Sequence, residues 1–191
     1  MKTRHISKAE MQDRVARFQS LKPLPATESL EMAQTAKDLI YSRTLLSVIG
    51  LEDATTPINQ GAPIRGAGGI TMTHAVCPPG TGPTLHAHRK TYETFTVLRG
   101  RFELYWNDDG GERVELDEFD TISVPPGVCR GFRNISNQDA ILQVLISGGV
   151  HDMNDIDYPP AVADELHAYG DNVVEQFEAR GMTFTAGTAE A

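Results

Sequence analysis

The segment from residue 41 to residue 147 is a series of short runs rich in Val, Ile, Thr, Phe and Tyr, each bounded by Gly, Pro, Asn or Asp. Such runs are typical of β-strands, since β-branched and aromatic side chains suit a pleated surface and the bounding residues favour turns. Residues 107–112 (NDDGGE) have the composition of a hairpin turn between two alternating segments. Strands at a spacing of roughly ten residues predict an all-β sandwich or barrel.

Helical patterns stand on either side of this segment. Ser7 and Glu10 form a capping-box pair that predicts a helix over residues 8–20, and residues 28–40 favour a second helix. Prolines at the start and a glycine at the end predict a helix at residues 159–170, and Asp171 as N-cap with a glycine at the end predicts another at residues 171–181. The predicted division is therefore an N-terminal helical arm, a barrel and a C-terminal helical tail, at residues 1–40, 41–150 and 151–191.

Composition limits the functions that the chain can have. The 191 residues carry a formal net charge of −9. This charge argues against nucleic acid and anionic membranes as partners, since both require a basic face, and favours a small-molecule ligand or another protein. No apolar run reaches the length of about 18 residues that a membrane helix needs. The N-terminus has no apolar signal-peptide segment, and the two cysteines, Cys77 and Cys129, form no disulfide framework, so we expect a cytoplasmic protein with free thiols.

The stretch GTGPTLHAHRKTYETFTVLRG, at residues 80–100, contains the strongest chemical signal. In a strand, residues two apart point to the same face, so His86 and His88 project together, and Glu93 can fold back beside them. Two imidazoles and one carboxylate form a ligand set that suits Fe(II), Mn(II), Ni(II) or Zn(II) and leaves coordination positions open for substrate.

The same stretch resembles the first motif of the cupin superfamily, G(x)5HxH(x)3–4E(x)6G, at every position: Gly80, His86, His88, Glu93 and Gly100. The second cupin motif, G(x)5PxG(x)2H(x)3N, is similar to residues 119–134, where the matching positions are Pro125, Gly127 and Asn134. Two positions differ from that motif. Phe119 stands in place of its glycine, and Arg130 stands in place of its histidine.

The resemblance covers roughly residues 68–147, and it implies an RmlC-like jelly roll, that is, a double-stranded β-helix with its site inside the barrel. It also implies a divalent metal held by His86, His88 and Glu93, and a homodimer. The expected fold is thus an all-β cupin barrel with N- and C-terminal helical extensions.

Arg130 stands where the resemblance puts the fourth metal ligand. A guanidinium stays protonated and cannot bind a metal. At a separation of about 5 Å it would repel a divalent ion by roughly 7 kcal/mol at an effective dielectric of 20. Two arrangements remain open. In one, the other three residues hold a metal while Arg130 turns away or binds an anionic substrate. In the other, no metal binds and Arg130 pairs with Glu93.

Three other residues are weaker candidates for the site. His74 lies in an earlier predicted strand and is expected to be a hydrogen-bonded strand histidine, although strand parity could turn it inward. Cys129 neighbours Arg130 and should face the opposite way as a small packed residue. His151 follows the last predicted strand, in a loop that could lie over the mouth of the barrel.

Three functions are compatible with these residues. The first is a metal-dependent oxygenase or isomerase acting on a small anionic or aromatic metabolite, with His86, Glu93 and Arg130 as catalytic residues. The second is metal-free acid–base chemistry of the epimerase type, with one of the histidines as the base. The third is a barrel that binds a metabolite without turnover.

Overall fold

The computed structural model describes residues 1, 3–24, 30–52, 61–149 and 153–188. The N-terminal arm contains less helix than its sequence predicts. Helix α1 spans only Lys8–Gln12, followed by a 3-10 turn at Phe18–Ser20, and helix α2 spans Gln34–Ile40. The capping box between Ser7 and Glu10 is confirmed, with both reciprocal hydrogen bonds present. The prediction of a helix to residue 20 was wrong because α1 buries no side chain, and a short helix needs tertiary packing to persist.

The predicted strands are present between residues 44 and 147. Among the described residues these strands are β1 (Thr44–Gly50), β2 (Ile64–Arg65), β3 (Ile70–Cys77), β4 (Ala87–His88), β5 (Tyr92–Arg99), β6 (Phe102–Trp106), β7 (Glu112–Leu116), β8 (Thr121–Val124), β9 (Arg130–Asn134) and β10 (Ala140–Ser147). One further short strand, β11 (Ile156–Asp157), follows in the C-terminal tail. They form a six-stranded sheet in the order β2-β1-β3-β10-β5-β8, a three-stranded sheet β7-β6-β9 and a pair β11-β4. The predicted hairpin at residues 107–112 joins β6 to β7.

The two larger sheets enclose the main core of the barrel. Burial alternates along β3 and β5, as expected for strands with one face inside and one face outside. The ring of Phe132 packs edge-on against Phe95 and Phe102, at centroid distances of 5.3 and 5.9 Å. These three aromatic side chains form part of the main core.

The C-terminal tail packs against the barrel through β11, which pairs with β4. Helix α3 (Pro160–His167) and helix α4 (Val173–Glu178) pack with α2 in a second hydrophobic cluster, in which Tyr158 and Phe177 are buried. The helices predicted at residues 159–170 and 171–181 are thus confirmed, with shorter bounds. Among the described residues, no helix has the length and apolar character needed to span a membrane.

Candidate metal and ligand site in the barrel

A backbone bridge joins the segment that contains His86 and His88 to the segment that contains Arg130. The amide N–H of His86 donates to the carbonyl of Arg130, and the N–H of Arg130 donates back, both at 2.9 Å. The N–H of Gly127 donates to the carbonyl of His88 at 2.8 Å. Gly127 has a φ of +79°, which favours glycine and lets the chain turn towards β4 before it enters β9. The side chains of His86 and Arg130 therefore enter the barrel side by side.

The imidazole of His86 is oriented by the backbone of its own segment. Its Nδ1 lies 2.8 Å from the carbonyl oxygen of Thr84, and a carbonyl can only accept, so Nδ1 carries the proton. In the neutral ring Nε2 then has a free lone pair, and it lies 3.7 Å from Oε2 of Glu93. Burial lowers the pKa of His86, and the charge of Arg130 lowers it further. His86 is therefore neutral at pH 7 and presents Nε2 as a ligand atom.

His88 is oriented by a residue that the sequence pattern did not single out. Its Nδ1 lies 3.2 Å from Oδ2 of Asp155 and 2.8 Å from Oγ1 of Thr91, which itself donates to the same carboxylate at 2.6 Å. Burial alone would raise the pKa of Asp155, but hydrogen bonds from His88 and Thr91 hold it at about 2. The carboxylate is thus charged and favours a proton on Nδ1, which leaves Nε2 of His88 directed at Oε2 of Glu93, 3.8 Å away.

Glu93 and Arg130 form a buried ion pair beside these imidazoles. Nε and Nη2 of Arg130 donate to the same oxygen, Oε2 of Glu93, at 2.9 and 2.6 Å, and Nη1 donates to the carbonyl of His86 at 3.1 Å. Arg130 has no solvent-exposed surface. Burial alone would raise the pKa of Glu93, but the charge of Arg130 and the adjacent imidazoles hold it well below its usual range. Glu93 is therefore ionised throughout the physiological pH range.

The donor set fits a divalent metal. Ligand atoms of His86, His88 and Glu93 all lie within 4.8 Å of one another, and all three residues are buried. Two imidazoles whose Nδ1 atoms are held by hydrogen bonds and one ionised carboxylate form a donor set that suits Fe, Mn, Ni or Zn. Arg130 lies beside these ligands and pairs with Glu93, which is the feature of the metal-free arrangement predicted from the sequence. The convergence of the three ligand atoms is the feature of the metal-bound arrangement. Both arrangements therefore stay predictions.

A cavity opens from these three side chains towards the helical extensions. Its volume is about 80 Å³, whereas one water molecule needs about 10–15 Å³ on the same measure. The walls are mainly apolar and come from strands on both sides of the barrel and from both terminal segments: Ile40, Tyr41, Ser42, Leu45, Thr73, Pro83, Phe132, Val144, Ile146, Met153, Ile156 and Tyr158. The space suits a small organic molecule with one polar end at the histidines.

Two tyrosines, Tyr41 and Tyr158, line the cavity. The ring of Tyr158 lies 5.5 Å from that of His86, centroid to centroid, and Tyr158 is only 2% exposed. Burial raises the pKa of Tyr158 well above its usual value and that of Tyr41 to about 12, so both phenols stay protonated. The charges of Glu93 and Arg130 also act on the pKa of Tyr158. Neither tyrosine lies in a cupin motif, and no signal in the sequence separates them from other aromatic residues.

A known protein family matches the central part of the chain. Residues 73–147 match the family model described as the cupin domain (Cupin_2). This segment runs from β3 to β10 and includes both motifs. Residues 73–147 form a cupin domain. Its barrel is accordingly the double-stranded β-helix that the motifs predict.

Individual proteins resemble parts of this cupin. An uncharacterized protein of Aquifex aeolicus (strain VF5) is 35% identical over 65 residues, which are 34% of this chain and 51% of that protein. The cupin thus spans about half the length of this curated relative. A conserved protein with a double-stranded beta-helix domain from Klebsiella pneumoniae subsp. pneumoniae MGH 78578 is 22% identical, with a TM-score of 0.39, over 42% of this chain and 68% of that one. KdgF from Halomonas sp. is also 22% identical, with a TM-score of 0.38, over 41% and 69% of the two chains.

The remaining candidates from the sequence lie outside the cavity of this cupin or outside the described residues. His74 is on the outer face of β3, where its ring lies 5.7 Å from that of Phe18 in the N-terminal arm. Cys129 packs with Ala87 and Ala186, and burial raises the pKa of its thiol to about 11. His151 belongs to the residues that the structure does not describe.

Proposed function

We propose that this cupin is a metal-dependent enzyme of the oxygenase or isomerase type, acting on a small molecule that carries one anionic group. The observation that carries the proposal is the convergence of three ligand atoms, Nε2 of His86, Nε2 of His88 and Oε2 of Glu93. The Nδ1 atoms of both histidines are held by hydrogen bonds. A histidine kept only for packing would not need its tautomer fixed in this way.

The charges around the ligand atoms favour an anionic substrate. Glu93 and Arg130 cancel, and Asp155 leaves one uncompensated negative charge behind His88. With a divalent ion the buried cluster has a net charge of +1, which a substrate monoanion would neutralise. Burying an uncompensated charge is costly, so the neutral complex is preferred. Without the ion the same cluster has a net charge of −1 and would repel an anion.

The side chains of the cavity suggest how a substrate would be held. Its anionic group would meet the metal between His86 and His88, and its carbon skeleton would lie against the apolar walls. The hydroxyl of Tyr158, protonated at every physiological pH, would donate a hydrogen bond to a substrate oxygen. When bound, the metal supplies Lewis-acid polarisation of that oxygen.

Elemental analysis of the purified protein tests the proposal. We expect about one Fe, Mn, Ni or Zn ion per chain after equilibration with excess metal, and its loss in the His88→Ala variant. The His167→Ala variant is the matched control, because His167 lies in α3, outside the cavity. The proposal fails if the wild-type protein carries no stoichiometric metal and gains none when Fe(II) or Mn(II) is added. The expected homodimer and cytoplasmic location stay predictions.

A second candidate function is favoured by one observation, the complete pairing of Glu93 with Arg130. A carboxylate that is already neutralised does not need a metal, and His86 or His88 could then act as a general base. Activity that survives extensive treatment with a chelator, but is lost in His86→Ala and His88→Ala, would support this metal-free chemistry. A preference for neutral or cationic ligands would support it as well.

A further inference from the structure

We propose that a divalent metal and a small carboxylate bind in this barrel as an obligate pair, each weakly alone and tightly together. The reason is that Arg130 already neutralises the charge of Glu93. The inference rests on the proposed function, since it concerns the same three ligand residues. It adds the chemical class of the ligand and a thermodynamic coupling that neither the motifs nor the metal site alone would give.

One oxygen of Glu93 faces both the two histidines and Arg130. Oε2 of Glu93 is the carboxylate atom that lies 3.7 and 3.8 Å from the two Nε2 atoms. The same oxygen accepts hydrogen bonds from both Nε and Nη2 of Arg130. A carboxylate oxygen has about two lone-pair sites. A metal at the histidines therefore competes with Arg130 for the oxygen it would bind.

The positive charge of Arg130 is permanent. Arg130 is completely buried, its third hydrogen bond goes to the backbone of His86, and its side chain does not deprotonate in proteins. The positive charge consequently stays next to the metal in every state of the protein. The two imidazoles carry no negative charge, and a carboxylate already paired with Arg130 supplies almost none to a divalent ion.

The negative charge that a divalent metal needs must come from a group in the cavity. Of the buried acidic groups described around the site, Asp155 acts on the metal position only through the ring of His88. The cavity, by contrast, opens directly from His86, His88 and Glu93. A carboxylate placed there would bind the metal and would also lie in the field of Arg130, while a short alkyl chain would fit against apolar walls such as Leu45, Val144 and Ile146.

Coupling of this kind is reciprocal. If the carboxylate raises the affinity for the metal by a given factor, the metal must raise the affinity for the carboxylate by the same factor. A barrel with this property would neither hold a tightly bound metal in the absence of ligand nor bind the ligand in the absence of metal.

The test is a titration of the metal-stripped protein with Mn²⁺, in which the electron paramagnetic resonance signal reports free Mn²⁺. It is carried out in chloride buffer alone, with saturating propionate, and with propionamide, which has the same shape but no charge. We expect propionate to lower the Kd for Mn²⁺ at least tenfold and propionamide to leave it unchanged. Isothermal titration should show no heat of propionate binding without Mn²⁺.

Variants of Arg130 separate its charge from a general effect of the carboxylate. Arg130→Gln should bind Mn²⁺ more tightly without propionate and should show less than a threefold effect of propionate. Arg133→Gln is the matched control on the same strand, since Arg133 is half exposed and pairs with Glu103. If Arg130→Gln does not fold, Arg130→Lys serves instead and should keep the propionate effect. An equal, tight Kd for Mn²⁺ in all three buffers would overturn the coupling and leave the metal-dependent function standing. Absence of Mn²⁺ binding in every buffer would overturn both.

Discussion

Asp155 fixes the ring of His88 across 67 residues of sequence, with Oδ2 at 3.2 Å from Nδ1. Its other oxygen accepts from the N–H of Lys90 at 2.7 Å, so the carboxylate cannot rotate freely. We predict that Asp155→Asn lowers metal affinity about 10- to 100-fold, because the amide no longer enforces a proton on Nδ1 of His88. Mn²⁺ titration of the two proteins measures the change. The exposed Asp164→Asn is the control, and equal affinities of Asp155→Asn and wild type would contradict the role.

The Arg130–Glu93 pair gives a second prediction, on stability. Arg130→Met leaves an uncompensated carboxylate in the core and should lower the free energy of unfolding by about 3–5 kcal/mol. Arg130→Met combined with Glu93→Leu removes both charges, and hydrophobic replacement of a whole buried pair is often neutral. The double variant should therefore be more stable than the single one. Urea denaturation with metal removed measures both, and additive losses in the double variant would contradict the interpretation.

A third prediction concerns Tyr158. Tyr158→Phe removes one hydroxyl and keeps the ring that contacts His86 and Phe184. A hydrogen bond lost from the ligand costs about 1 kcal/mol or slightly more, so we expect roughly a tenfold weaker Kd for a bound carboxylate in the presence of metal. The melting temperature should change little. Tyr169→Phe, at an exposed position of the tail, is the control, and an unchanged Kd in Tyr158→Phe would remove its hydroxyl from the site.

The contribution of the sequence is clearest for residues that act locally. The alternation of β3 and β5 and the spacing of His86, His88 and Glu93 reflect strand geometry, which repeats every two residues and can be read directly. Asp155 and Tyr158 could not be found in this way. They reach the site because β11 pairs with β4 across the barrel mouth, a long-range contact with no local periodicity. The N-terminal helix was overextended for a related reason, since α1 lacks the tertiary packing that would have stabilised its predicted second half.

Asp157 gives a prediction for the dependence of stability on pH. Its carboxylate accepts hydrogen bonds from Thr183 and from the N–H and hydroxyl of Thr185, and it pairs with Arg89. Burial alone would raise the pKa of Asp157, but these partners hold it below its ordinary value of 3.8. The neighbouring thiol of Cys129 stays protonated at low pH, so it does not contribute to the titration.

The sign of this effect follows from the lowered pKa. The stabilisation from ionised Asp157 is complete above the unfolded pKa of 3.8 and is lost as the pH falls through the lower folded pKa. Wild type should therefore be more stable than Asp157→Asn at pH 6, and the difference should shrink below pH 4. Urea denaturation at pH 6, 4 and 3 measures it. A difference independent of pH would show that shape, and not charge, holds the tail to β11.

Phe119 gives the last prediction, because it occupies the glycine position of the second motif with a φ of +74°. A non-glycine residue in this left-handed region is strained by roughly 1–2 kcal/mol, while glycine loses about 0.5–1 kcal/mol more chain entropy on folding. The side chain is 77% exposed, so its removal sacrifices little burial. We predict that Phe119→Gly raises the free energy of unfolding by up to about 1 kcal/mol, whereas Phe119→Ala, which keeps the strain, gives no gain. Urea denaturation of the three proteins distinguishes these outcomes, and a clear loss of stability in Phe119→Gly would mean that the exposed ring makes a stabilising contact that outweighs its backbone strain.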